Sequence, residues 1–389
     1  MAAKVKFEGR PVWAEIRLSA LAHNLRAIRK HIGRQRKILA VVKGNGYGHG
    51  GPGVARAFAK AGADWFGVTC TSEGAELREA GIRQPILVLT GFWPGEEKRL
   101  LNYRLTPTVA RLEQLRLLER AAARSQSARR GPVGFHLKID TGMNRLGIAP
   151  EEVESFARAL ADCPHLLLTG TFTHFASSEA FTSKQTEEQQ KRFTAAVERL
   201  RALRLDPGLV HMANSAAAAA RPETWADMVR PGALLYGYHQ FYDPPEIKAE
   251  MERKIPLKPA LSFRARVVSL RDIPRGGGVG YNARFVAERP SRVAVLALGY
   301  ADGLRRALGN RGRVILHGQF APLVGTVSMD LAMVDVTGVP GVRLGDVATI
   351  FGAEGSVSQY VSDVARDLGT VTSDLLCGLG QRVPRFYLP

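Results

Sequence analysis

Apolar residues along this chain follow two rhythms. From residue 38 to residue 236, short apolar runs bounded by glycine or proline alternate with stretches whose apolar positions recur at three- and four-residue spacing. The runs 38–42, 65–70, 85–90, 105–109, 134–140, 166–174, 209–215 and 229–236 read as eight strands. Helices are predicted over 53–61, 72–80 and 95–102, around Leu112, Leu115 and Leu118, after Pro150-Glu151-Glu152, and over roughly 184–204. Ahead of them, Trp13-Ala14-Glu15-Ile16-Arg17-Leu18 alternates like a lead-in strand, and Ser19 is placed to cap a helix with Leu21, Leu25, Ile28 and Ile32 on its apolar face. Eight β/α units over about 200 residues predict an α/β fold, a closed (β/α)₈ TIM barrel, within residues 1–248.

After about residue 250 the period changes to two. Leu261, Phe263, Ala265 and Val267 alternate with Ser262, Arg264 and Arg266, and further strand-like runs follow at 293–296, 314–316 and 331–334, punctuated by glycine turns. A mostly β C-terminal domain is expected over 249–389. Two domains also suit a chain of 389 residues, more than one core usually organises.

Composition changes this picture little. The chain is 45% hydrophobic and 23% charged, ordinary values for a globular protein. No run approaches the roughly 20 apolar residues that span a bilayer, and the N-terminus shows no apolar leader core, so a cytoplasmic location without membrane association is expected. Three cysteines, Cys70, Cys163 and Cys377, show no metal-like spacing and read as thiols of a reducing compartment. The net charge of +18 raises nucleic-acid binding as a rival. The 54 basic residues are scattered, however, with only short pairs such as Arg129-Arg130 and Arg305-Arg306, so a generally basic surface is the better reading and no nucleic-acid partner is expected.

Candidate chemistry collects where the barrel strands end. Lys43 closes the first strand, at the end of the barrel that carries active sites. It is either a candidate amine nucleophile or an ordinary lysine reaching solvent. Gly46-x-Gly48-x-x-Gly51 formally matches a dinucleotide fingerprint, but eight β/α units and a lysine ahead of the glycines do not suit a Rossmann domain. Lys138, Asp140, His174, Asn214, Ser215 and Arg230 recur at the other strand ends, in place of the branched apolar residues that fill barrels. Alone, His174 reads more often as a structural histidine and Arg230 more often as an ion-pair partner. Together, a lysine, glycines that admit a phosphate, Ser215 and Gly232 beyond the eighth strand suit pyridoxal phosphate.

Ala40-Val41-Val42-Lys43-Gly44-Asn45-Gly46-Tyr47-Gly48-His49-Gly50 resembles the pyridoxal-phosphate attachment motif of alanine racemases. Lys138-Ile139-Asp140-Thr141-Gly142-Met143-Asn144-Arg145, Thr173-His174-Phe175, Asn214-Ser215, Arg230-Pro231-Gly232, Gly299-Tyr300-Ala301-Asp302-Gly303 and Ser328-Met329-Asp330 are similar to that family's later motifs, in the same order. The resemblance covers essentially the whole chain. It implies that Lys43 forms the internal aldimine with pyridoxal 5'-phosphate and acts as one base. Tyr281, in Gly280-Tyr281-Asn282, matches the opposite-face base, supplied by the β domain of a second subunit in a homodimer with shared active sites. His174 and Arg230 match a relay toward that tyrosine, and Arg230 also faces the pyridine nitrogen, limiting the electron sink. Tyr47, Asn214, Ser215 and Gly232 match cofactor contacts. Arg145, Met329, Tyr300 and Asp330 match the substrate side, and Lys138 matches a lysine that the family often carbamylates to hold that arginine. No metal is implied.

The implied function is interconversion of L- and D-alanine by two bases, supplying a peptidoglycan precursor. A racemase for another small or basic amino acid and a non-catalytic pyridoxal-phosphate binding protein are the alternatives; a barrel-type decarboxylase is disfavoured by Arg230. Three departures from the family stand out. Gly44 and Gly46 replace common alanines, which loosens the loop by about 0.5–1 kcal/mol each if φ is ordinary there. Gln381 stands where some members carry a phosphate-binding tyrosine, and Ser328 where some carry cysteine.

Overall fold

The computed structural model describes residues 9–125 and 131–389; Arg129-Arg130 and the N-terminal residues 1–8 lie outside the described residues. The chain packs as two compact units. One comprises Ala20–Lys258, and the other joins the residues up to Ser19 to Pro259–Pro389.

The lead-in strand β1 (Val12–Arg17) belongs to the second unit. The first unit is the barrel: β2 (Lys37–Val41), β3 (Trp65–Val68), β4 (Ile86–Val88), β5 (Thr106–Val109), β6 (Val133–Lys138), β7 (Leu166–Phe172), β8 (Leu209–His211) and β9 (Met228–Val229). Parallel ladders run in the order β8-β7-β6-β5-β4-β3-β2-β9. The remaining seam, β9 against β8, is stitched by Asp227 N to Val210 O at 3.0 Å and Arg230 N to Ala213 O at 2.9 Å. Leu39, Val41, Leu87 and Met228 cluster in the interior, with Tyr47, Trp65, Leu89 and Leu209 packed on them. Each such side chain removed from water contributes roughly 1.5–3 kcal/mol. The TIM barrel expected from the apolar rhythm is thus observed.

The second unit is built on a nine-stranded sheet around the long β10 (Leu261–Ile273). A small hairpin, β11 (Gly278–Val279) and β12 (Phe285–Val286), follows it. Then come β13 (Ser291–Leu296), β14 (Arg313–Leu316), β15 (Gln319–Val324), β16 (Ala332–Asp335), β17 (Val347–Glu354), β18 (Val357–Gln359) and β19 (Arg385–Leu388). β10 pairs antiparallel with β1, β13 and β17, and β1 pairs parallel with β19. Among the described residues no helix is long and apolar enough to cross a membrane.

Four expectations differ from what is observed. The units divide between Lys258 and Pro259 rather than at 248/249, because the helix Glu246–Lys254 packs with the barrel; β1, expected with the barrel, instead hydrogen-bonds into the second unit's sheet. Ser19 does not cap, since the helix begins at Leu18 and the Ser19 hydroxyl donates to Pro389 O at 3.0 Å. The eighth barrel strand stops at Val229: Pro231 has no N–H to give a ladder, and residues 233–236 form a 3₁₀ turn. The C-terminal domain also contains helices, Val361–Leu368 and Thr372–Cys377, that a period-two pattern does not reveal.

Candidate active site

Lys43 leaves the C-terminal end of β2 and opens a turn of unusual hand. Gly44, Asn45, Gly46, Tyr47 and Gly48 have φ of 61°, 53°, 61°, 51° and 76°. Gly46 N donates to Val42 O at 2.8 Å and Gly48 N to Gly44 O at 3.0 Å, so the segment is one left-handed helical turn. Such a conformation costs L-residues roughly 1–2 kcal/mol each, and glycine escapes most of it. Gly44 and Gly46 therefore do not loosen the loop as ordinary φ would imply; they suit its hand. Gly46 is also tight, since a Cβ there would meet Val54 Cγ2 at 2.6 Å. Glu73 fixes the start of the turn, accepting from Gly44 N at 2.6 Å and from Thr69 N at 2.8 Å.

The turn directs Tyr47 inward, where its ring stacks on Tyr236 with centroids 4.9 Å apart. Tyr47 also lies over Gly232, at which a Cβ would stand 2.4 Å from the hydroxyl oxygen. Ser215 Oγ accepts from Gly232 N at 2.8 Å. Tyr47, Ser215 and Gly232, from three segments, thus converge on one small cradle of hydroxyls and backbone. Asn214 serves it indirectly: its Oδ1 accepts from Ala217 N at 3.1 Å and from Ser178 Oγ at 2.7 Å, capping the helix that Ser215 begins.

Arg230, just beyond β9, is buried and reaches across the barrel. Its Nη2 donates to Thr173 O at 2.7 Å and Met212 O at 3.0 Å, and lies 3.2 Å from His174 Nδ1; its Nη1 lies 2.9 Å from His211 Nδ1. Guanidinium only donates, so both ring nitrogens accept. His174 is held well below the ordinary histidine range, first by burial and then by Arg230, Lys138, Arg145 and Lys43, and is neutral at physiological pH. Burial lowers Arg230 to about 9, which leaves it charged at neutral pH.

Lys138, at the end of β6, is buried and pushed down to about 8, by burial first, then by Arg230 and Arg145, with Asp140 opposing and Lys43 adding a smaller push. Asp140 does little to neutralise the cluster, because its oxygens are occupied. Oδ1 accepts from the backbone N–H of Gly142, Met143 and Asn144 at 2.9–3.0 Å, and Oδ2 from Arg145 N at 2.8 Å. Burial acts against that carboxylate, but the four backbone donors hold it below its usual value. Lys43, Lys138, Arg145 and Arg230 thereby form a cationic cluster suited to anionic groups.

The other candidates lie in the second unit. Tyr281 sits on the turn between β11 and β12 and is 70% exposed, with Tyr300 and Met329 also exposed. Their loops are tied together: Tyr300 N donates to Ser328 O at 3.0 Å, Ala301 N to Met329 O at 3.1 Å, and Asn310 Nδ2 to Arg284 O at 2.9 Å, three residues beyond Tyr281. Asp330 accepts from Arg382 at 2.7 Å through Oδ1, while Arg10 donates to its carbonyl. Both arginines pair with Asp302, Arg382 Nε at 2.7 Å and Arg10 Nη2 at 3.3 Å, and Asp302 is fully buried.

Sequence reasoning missed four contributors. His211 and His136 lie inside apolar strands and read as core, Asp302 was part of a motif without a stated task, and Glu73 occupies an ordinary acidic position of a helix first turn. An acid in the first turn of a helix that follows a strand end was the one available signal for Glu73.

The whole chain has known relatives. The family model described as alanine racemase, N-terminal domain, matches residues 16–240, and that described as alanine racemase, C-terminal domain, matches residues 260–387. The alanine racemase of Geobacter sulfurreducens is 41% identical over 386 residues, 98% of each chain. That of Halothermothrix orenii is 39% identical over 378 residues, 97% of each chain. Among solved structures, alanine racemase from Bacillus anthracis with bound L-Ala-P is similar at a TM-score of 0.89 and 31% identity, covering 99% of this chain and 96% of that one. Alanine racemase of Clostridium difficile 630 gives 0.88 and 30%, with 98% and 97% covered.

Proposed function

The chain belongs to the alanine racemase family, and on that premise we propose that it interconverts L- and D-alanine with pyridoxal 5'-phosphate in a cytoplasmic homodimer, supplying D-alanine as a cell-wall precursor. The observation that carries the cofactor reading is the cationic cluster at the barrel strand ends beside the Tyr47, Ser215 and Gly232 cradle. These residues fit the group: hydroxyls and a backbone N–H suit phosphate oxygens, Arg230 offers donors to a pyridine nitrogen, and Lys43 is an amine at the strand end. When bound, the cofactor supplies the electron-withdrawing ring that acidifies the Cα–H of an amino acid.

The chain's own groups supply the rest. Lys43 Nζ takes or returns the Cα proton on one face. Inversion needs a second group on the other face, and Tyr281 of a second copy is that group, its exposure leaving the phenol available to a partner. Because His174 Nδ1 accepts from Arg230, its proton is on Nε2, where it donates and favours a phenolate over a phenol. Arg230, tied to two carbonyls and two imidazoles, stays a donor in one orientation. Arg145 pairs the substrate carboxylate. The amine of Lys138, pushed down to about 8, is partly unprotonated near neutral pH and open to carbon dioxide. The Nζ–C bond forms as one C=O π bond of carbon dioxide opens; one proton leaves to solvent when the ammonium becomes the amine and a second on addition, so the resulting carbamate replaces a cation by an anion beside Arg145.

The test is to incubate the purified protein and pyridoxal phosphate with L-alanine and, separately, other L-amino acids, and to resolve the enantiomers. D-alanine is the expected product; absence of any D product removes the racemase reading.

A further inference from the structure

Behind Arg230, on the side away from His174, the barrel interior holds two more imidazoles in series. His211 (β8) meets Arg230 through Nδ1 at 2.9 Å, and its Nε2 meets Nδ1 of His136 (β6) at 3.0 Å. Both rings are fully buried. The interior is built around the second ring: a Cβ at Gly170 (β7) would stand 2.5–2.7 Å from three of its atoms, and the Trp65 ring (β3) packs at 5.1 Å. The Phe172 ring stacks on His211 at 4.8 Å and 5°.

Only one proton arrangement satisfies these contacts. Arg230 can only donate, so His211 Nδ1 is bare and its proton is on Nε2. That proton points at His136 Nδ1, which must accept, so His136 carries its own proton on Nε2. The reverse arrangement places a His211 N–H against a guanidinium N–H. Burial, then Arg230, keep His136 near 3 and His211 well below the ordinary range, so neither gains a second proton near neutrality. The series ends at His136 Nε2, which makes no hydrogen bond among the described residues. A leucine there would avoid that cost, and no proton can leave by this route.

We propose that His136 is a positioning residue: by accepting the Nε2 proton of His211 it fixes the tautomer that presents a bare Nδ1 to Arg230, and so holds the guanidinium at one angle. Its catalytic consequence rests on the racemase reading, but the tautomer does not.

The experiment compares wild type, His136→Leu, which cannot accept, and His136→Asn, whose Oδ1 stands near the position of Nδ1. Histidine ¹⁵N resonances of the full chain, with and without pyridoxal phosphate, are recorded from about pH 6 to about pH 9. In the wild type both rings are expected in the Nε2–H form without titration. In His136→Leu, His211 is expected to leave that form, the absorption spectrum of bound pyridoxal phosphate to shift, and kcat to fall about 10- to 100-fold with a smaller change in KM for alanine. His136→Asn should recover most of each. Either ring as the Nδ1–H form in the wild type overturns the proposal, as does a folded His136→Leu protein with unchanged His211 resonances and cofactor spectrum, or an Asn variant no better than Leu. A wild type with no racemase activity but the expected tautomers removes only the racemase reading.

Discussion

Arg230 and His174 share a single contact, Nη2 to Nδ1 at 3.2 Å, made by the same nitrogen that donates to Thr173 O at 2.7 Å and Met212 O at 3.0 Å. One nitrogen therefore sets both the guanidinium's tilt and the imidazole's tautomer. Replacing Arg230 by Lys keeps a charge but loses the planar fork, and kcat is expected to fall by about two orders of magnitude. Arg230→Ala leaves buried acceptors unmatched and should cost about 3–5 kcal/mol of stability, read by urea unfolding.

Lys138 makes stability depend on alkaline pH. Its amine falls from 10.5 to about 8 in the folded protein, so between those values the unfolded chain binds more protons and stability rises with pH. The penalty of keeping the charged amine is complete below about pH 8 and amounts to about 3 kcal/mol. In carbon-dioxide-free buffer, Lys138→Met should flatten that rise in unfolding free energy. With ¹³C-bicarbonate, a carbamate resonance should be seen for the wild type and not for Lys138→Met.

Gly46→Ala should destabilise by about 1–3 kcal/mol, through the left-handed φ and the Val54 methyl. Adding Val54→Ala removes the collision, so the double variant should lose less than the sum of the singles. Thermal unfolding of the four proteins reads the coupling; strict additivity shows that the contact at Val54 carries no energy.

If Lys43 and Tyr281 act from different copies, Lys43→Ala and Tyr281→Phe proteins are each inactive but regain activity on mixing. One of the two sites in a mixed dimer then holds both wild-type residues. No recovery after subunit exchange, followed by native mass spectrometry, counts against a shared site.

Asp302→Asn should raise KM for alanine about tenfold with little change in the cofactor spectrum. It removes the buried charge that binds Arg10 and Arg382 beside the Met329 and Asp330 loop.

The barrel was legible because buried parallel strands are written as unbroken apolar runs, as 38–42 and 86–89 are, and the strand ends were legible because charge interrupts them at Lys43, Lys138 and Arg230. His136 and His211 were not, because a histidine inside Phe135-His136-Leu137 or Val210-His211-Met212 differs from a packed core residue only in what stands opposite, on another strand. The hand of the Gly44–Gly48 turn was equally hidden. Glycine permits positive φ without announcing it, and Asn45 and Tyr47 share that φ without being glycine. The unit boundary was misplaced because β1 alternates like any strand, and its partners lie some 250 residues away.

That pairing has a consequence for how the chain acquires its structure. Val12 to Ile16 are made well before their neighbours in the sheet, Leu261 to Ala265, and longer still before Arg385 to Leu388. During synthesis the whole of Ala20–Lys258 can mature while β1 waits, its edge unmatched until β10 has been made. A fragment ending at Lys258 is thus expected to fold yet carry a sticky N-terminal strand, whereas one beginning at Ala20 would lack it.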